Sequence, residues 1–71
     1  MQYQLSWKPY NNTTDMCELH SHENKYIIFH HKGDCSFYSL NEYINNTIAG
    51  RVDVTFGDTE TELHELLNDY L

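Results

Sequence analysis

The sequence predicts an α+β domain, a small antiparallel or mixed sheet of four to five strands with two helices packed on one face, in the order β-β-β-(β)-α-β-α. Three observations point there. Short runs alternate apolar and polar residues with the period of two that marks a half-buried strand. Two Ser/Thr-x-x-Glu pairs, Ser39 with Glu42 and Thr59 with Glu62, each precede apolar residues spaced three and four apart. Finally, 71 residues without a linker, repeat or low-complexity tract leave room for one domain, residues 1–71, whose strands and helices must share a single core.

The elements follow in order. Tyr3, Leu5 and Trp7 alternate with Gln2, Gln4 and Ser6, which predicts a first strand that stops at Pro9. YNNTTD is a loop. MCELHS and KYIIFHH read as a hairpin with its turn in HEN, and Lys32-Gly33-Asp34 turns the chain again so that CSFYS pairs back as a short fourth strand. SLNEYINNTIAG predicts a helix over about 40–49: Ser39 and Glu42 form its capping box, and Tyr38 with Tyr43 its hydrophobic staple. Leu40, Tyr43, Ile44, Thr47 and Ile48 share one face, and Gly50 supplies the stop. RVDVTF returns to the sheet with Val52, Val54 and Phe56 inward and Arg51, Asp53 and Thr55 outward, ended by Gly57 and Asp58. Thr59 and Glu62 then open a final helix with Leu63, Leu66, Leu67 and Tyr70 on its inner stripe.

Charge narrows the function. Eleven acids against four bases give a formal charge of −7, so a basic patch for a phosphate backbone is not available and direct nucleic-acid binding is not expected. Anionic membranes are disfavoured for the same reason. No apolar run is long enough for a span, and the N-terminal residues lack the blocks of a signal peptide, so the chain reads as cytoplasmic and its two cysteines as free thiols.

Cys17, His20, His22, His30, His31 and Cys35 are all metal-ligand types. Alternation along the predicted hairpin divides them: with Ser21 against Tyr26, Cys17 shares a face with His30, while His20 lies opposite with Ile27, Phe29, His31 and Cys35. No metal and no cofactor are expected, and a zinc-binding module remains only if the register slips by one residue. No catalytic motif is present, and a chain this short has little volume for a water-excluding pocket, which predicts a non-enzymatic protein.

The closing segment carries the clearest functional signal. After Arg51 there is no Lys or Arg, yet Asp53, Asp58, Glu60, Glu62, Glu65 and Asp69 follow. On the last helix Glu62, Glu65 and Asp69 fall at three- and four-residue steps, where neighbours lie ~5–6 Å apart. Glu60 and Glu62 suit the positive end of the helix dipole, but Asp69 sits at the negative end. Such a row serves either as solubilising surface or as a spaced negative face for a basic partner, with Asp58, Glu62, Glu65 and Asp69 as its centre and Asp53 and Glu60 flanking. Tyr10, in the loop beside Trp7, is a further candidate contact.

In size and composition the chain resembles the small acidic anti-defence proteins of bacteriophages, among them anti-CRISPR proteins and other DNA-mimicking inhibitors. That resemblance rests on no motif and transfers no functional residue. It implies an inhibitor that binds a basic host nucleic-acid-binding protein, such as a CRISPR effector, and blocks its nucleic-acid site. The alternatives are a shape-based inhibitor using the Trp7–Tyr10 loop or the sheet edge, and a homodimer closing over the open sheet face.

Overall fold

The computed structural model describes residues 4–21 and 24–70. Five strands, β1 (Lys8–Asn11), β2 (Thr14–Ser21), β3 (Asn24–His31), β4 (Phe37–Ile44) and β5 (Thr47–Val54), form one antiparallel meander in the order β1-β2-β3-β4-β5, and a single helix, α1 (Glu60–Tyr70), follows. This corrects the expected pair of helices over a four- to five-stranded sheet: the structure is a sheet with one covering helix.

The segment responsible is SLNEYINNTIAG. It is not a helix over 40–49 but the end of β4, a two-residue turn and the start of β5, with Ile44 opposite Thr47 and Tyr43 opposite Ile48. Asn45 and Asn46 both take positive φ, 54° and 62°, the conformation of the turn whose twist matches a hairpin and which Asn tolerates better than most residues. The capping box and three-and-four spacing are therefore coincidental. β4 is the strand they obscure: it lies between β3 and β5, and Tyr38, Ser39, Leu40 and Asn41 are all buried, so period-two alternation is erased.

One sheet face carries the core. Cys17, Tyr26, Ile28, Tyr38 and Leu40 pack with Leu63, Leu66 and Leu67 of α1, and Leu5, Trp7, Leu19 and Val52 border them. Residues 4–7 keep the predicted inward Leu5 and Trp7 without joining the ladder; pairing begins at Lys8, and Pro9 lies within β1. An outermost strand can hold a proline because its missing N–H faces away from the sheet. Gln2 and Tyr3 lie outside the described residues, as do His22 and Glu23 of the predicted HEN turn.

The opposite face presents Met16, Ile27, Phe29, Phe37 and Tyr43 by alternation from the paired register. Ile27 is only 2% exposed although α1 lies on the other side, flanked by Phe29 and Lys25 along β3 and by Glu18 and Asn41 across it. Beneath this face, Asn41 Nδ2 donates to Ile27 O at 3.3 Å and to Ser39 Oγ at 3.2 Å.

β5 departs from its expected phase. Register breaks between Leu40/Asn41 and Glu42/Tyr43 place extra residues in β5, and such bulges twist an edge strand away from further pairing. Val52 borders the core as expected, but Val54 is 39% exposed and Phe56 wholly so, while Thr55 is buried. The reason is local: Tyr38 N donates to Thr55 Oγ1 (3.0 Å), and Thr55 Oγ1 donates to Gly57 O (2.7 Å), drawing Thr55 in and Phe56 out.

Candidate functional site: an acidic groove between β5 and α1

The start of α1 is built by the second capping box. Glu62 N donates to Thr59 Oγ1 at 3.2 Å, the Thr59 hydroxyl donates to Glu62 Oε1 at 3.0 Å, and Gly57 N donates to Glu62 Oε2 at 3.0 Å. Glu62 thus ties the helix to the turn that precedes it. Leu63, Leu66 and Leu67 form the buried stripe, and the opposing side of α1 is left to polar residues.

That arrangement sets Glu62, Glu65 and Asp69 beside the end of β5. Together with Asp53, Val54, Phe56 and Leu66 they line a shallow groove of about 280 Å³. Asp53 is held there: Tyr70 Oη donates to its Oδ2 at 2.9 Å, and Val54 N donates to its Oδ1 at 2.8 Å. The bond to Asp53 raises the Tyr70 pKa first, with desolvation and the charges of Asp53 and Asp69 adding to it. Tyr70, expected on the inner stripe, is 43% exposed and spends its hydroxyl on this bond.

The groove's carboxylates differ in availability. Asp53 and Glu62 already accept hydrogen bonds. Glu65 and Asp69 are exposed and take no ion pair or hydrogen bond among the described residues. The described cations do not serve this region: Lys25 pairs with Glu18 at 3.7 Å and Lys32 with Asp15 at 2.9 Å, both in the β2–β3 region, while Lys8 and Arg51 form no ion pair among the described residues.

Three expected contacts lie elsewhere. Asp58 pairs with His30, whose ring stacks on Tyr38 at 4.3 Å and approaches Trp7 at 5.9 Å. Asp58 therefore anchors the segment before α1 to β3 rather than joining the row. Burial, followed by the charges of Asp58 and Glu60, raises the Tyr38 pKa. Glu60 is exposed in the first turn of α1 but does not line the groove. Tyr10 packs edge-on against Phe29 at 4.8 Å, on the sheet face opposite α1, and remains 55% exposed.

Among the described residues no group of three or more His, Cys, Asp or Glu is placed to hold a metal ion. Cys17 is buried on the α1 face and Cys35 exposed in the β3–β4 loop. His31 Nε2 lies 3.0 Å from Ser39 Oγ, but Ser39 is 1% exposed and its oxygen also accepts from Asn41, so substrate has no path to this hydroxyl.

The sequence reading missed Phe56, whose 106% exposure puts a whole ring on the groove's lip. The neighbouring Gly57-Asp58 pair, a turn signal immediately after it, was the available clue that Phe56 stands beyond the last rung of the sheet. No family model matches the chain, and no curated protein or solved structure is detectably similar to it.

Proposed function

We propose that this chain is a non-enzymatic acidic interaction protein that binds a basic, nucleic-acid-binding host protein and blocks its nucleic-acid site. The observation that carries the reading is the groove where Asp53, Glu62, Glu65 and Asp69 converge beside α1, with Glu65 and Asp69 lacking a counter-charge among the described residues. Duplex DNA carries one phosphate per ~3.4 Å of axis on each strand, so carboxylates ~5–6 Å apart along a helix offer a row of negative groups on a comparable scale to the same Lys and Arg side chains. Opposite charge would also speed encounter. Asp58 and Tyr10 are not part of this contact, because Asp58 is spent on His30 and Tyr10 lies on the other sheet face.

Affinity capture from bacterial lysate tests the proposal. The expected result is a nucleic-acid-binding protein that is released near about 0.5 M salt, where exposed charge contacts are screened. Glu65→Lys with Asp69→Lys should prevent its capture. These two positions suit the test because neither carboxylate supports the helix cap. Capture that withstands salt and ignores the double reversal would overturn the proposal.

The second reading, a shape-based inhibitor, is favoured by the exposed Phe56 rather than by the β5 edge, because the bulges of β5 oppose strand addition. Loss of capture with Phe56→Ala, but not with the charge reversals, would select it.

A further inference from the structure

On the other side of Phe56 lies a second groove, chemically unlike the first. Its volume is about 610 Å³, within the ~300–1,000 Å³ typical of small-molecule sites, whereas the acidic groove falls below that range. Phe37, Val54 and Phe56 supply apolar walls, and Arg51 supplies a guanidinium. Cys35 stands in the same lining, exposed at the β3–β4 loop.

Arg51 is the groove's cationic group. It is exposed and forms no ion pair among the described residues; Asp34 also lines the groove, but the two are not paired. The positive charge is felt nearby, since Arg51 is the second cause, after burial, of a lowered His31 pKa. A planar guanidinium is best satisfied by a carboxylate, which it can grip with two parallel hydrogen bonds. An aromatic or short alkyl body attached to that carboxylate would cover the walls and bury part of the exposed Phe56 ring.

We propose that the groove of Phe37, Arg51, Val54 and Phe56 is a binding site for a small arylalkanoic or alkanoic acid, with its carboxylate on Arg51 and its apolar body against the three walls. The site adjoins the acidic groove, sharing Val54, Thr55 and Phe56 with it, but does not depend on the function proposed above. A strongly acidic chain repels anions at long range, so the ligand must be one whose apolar contact adds to a single charge pair.

Cys35 provides the reporter. Cys17 is buried, and burial raises its thiol pKa, so iodoacetamide should alkylate Cys35 selectively and intact-mass spectrometry can follow the rate. With 4-phenylbutyrate as the probe at about 10 mM, a Kd of about 1 mM should slow alkylation about tenfold by mass action. The neutral amide, 4-phenylbutyramide, should protect little, and Arg51→Gln should lose the protection by the acid. The acid-against-amide comparison uses the unaltered chain and stands even if the variant folds poorly.

No protection by the acid, or equal protection by acid and amide, would overturn the proposal. So would equal protection of the Arg51→Gln variant, if its far-UV spectrum is native. Protection that appears without probe as protein concentration rises would assign the groove to a second copy of this chain instead.

Discussion

At the residue scale, the face opposite α1 combines its apolar side chains with a buried polar pair on β4, Ser39 and Asn41. Asn41 Nδ2 donates to Ser39 Oγ, and His31 Nε2 lies 3.0 Å from the same oxygen. Burial lowers the His31 pKa, and the charges of Arg51 and His30 lower it further. The folded protein then binds fewer protons than the unfolded chain between that lowered value and the ordinary value of about 6.5. The stability His31 contributes is present above about 6.5 and lost as pH falls through the folded pKa. NMR titration of the ring should place the His31 pKa below the ordinary value, and Arg51→Gln should move it part of the way back; an unmoved value would show that Arg51 does not act on it. Core residues should behave more simply. Leu67 is fully buried between α1 and the sheet, and Leu67→Ala should cost about 2–5 kcal/mol in urea unfolding, enough to threaten a domain this small.

At the element scale, one short device fixes the hairpin that opens β5 and another the helix that follows it. Asn45-Asn46 closes the hairpin with β4, and both residues occupy the left-handed region. Asn46→Val should lower stability by about 1–2 kcal/mol because its branched Cβ crowds the backbone there, whereas Asn46→Gly should hold or raise the melting temperature. A helix over 40–49 would predict no such preference for glycine. Past β5, Thr59 and Glu62 cap α1, and Thr59→Ala should cost about 1 kcal/mol by thermal or urea unfolding. Both elements had sequence signals of similar strength. The signal at Thr59 was met by an actual helix because Leu63, Leu66 and Leu67 find a sheet face to cover. The signal at Ser39 failed because Leu40 pairs opposite Ile28 of β3 and Asn41 opposite Ile27.

At the scale of the whole molecule, a charge of −7 works against compactness, and the acids along α1 add to that cost at its C-terminal end. Raising salt from low ionic strength to about 0.15 M, where the Debye length is ~8 Å, should therefore increase the urea midpoint. Asp69→Lys should increase stability by about 0.3–1 kcal/mol through the helix dipole, while weakening attachment to a basic partner. A variant both more stable and less able to bind is the expected mark of carboxylates retained for an external contact; unchanged binding would remove that meaning from Asp69. The sequence by itself determined the acid surplus, the β2–β3 hairpin and the capped final helix, because each depends on composition or on residues near one another in the chain; the hairpin's register is two residues from the expected Ser21–Tyr26 pairing, with Ser21 opposite Asn24, an even shift that keeps Cys17 and His30 on one face. Only the tertiary structure decided that residues 40–50 extend the fourth strand and return as β5 around a turn, that Phe56 projects between two grooves, and that Asp58 belongs to His30. The expected fourth strand, CSFYS, meets β4 only at Phe37–Ser39; Tyr38 to Asn41 are all buried between the neighbouring strands, which leaves no alternation from which the continuation to Ile44 could be read.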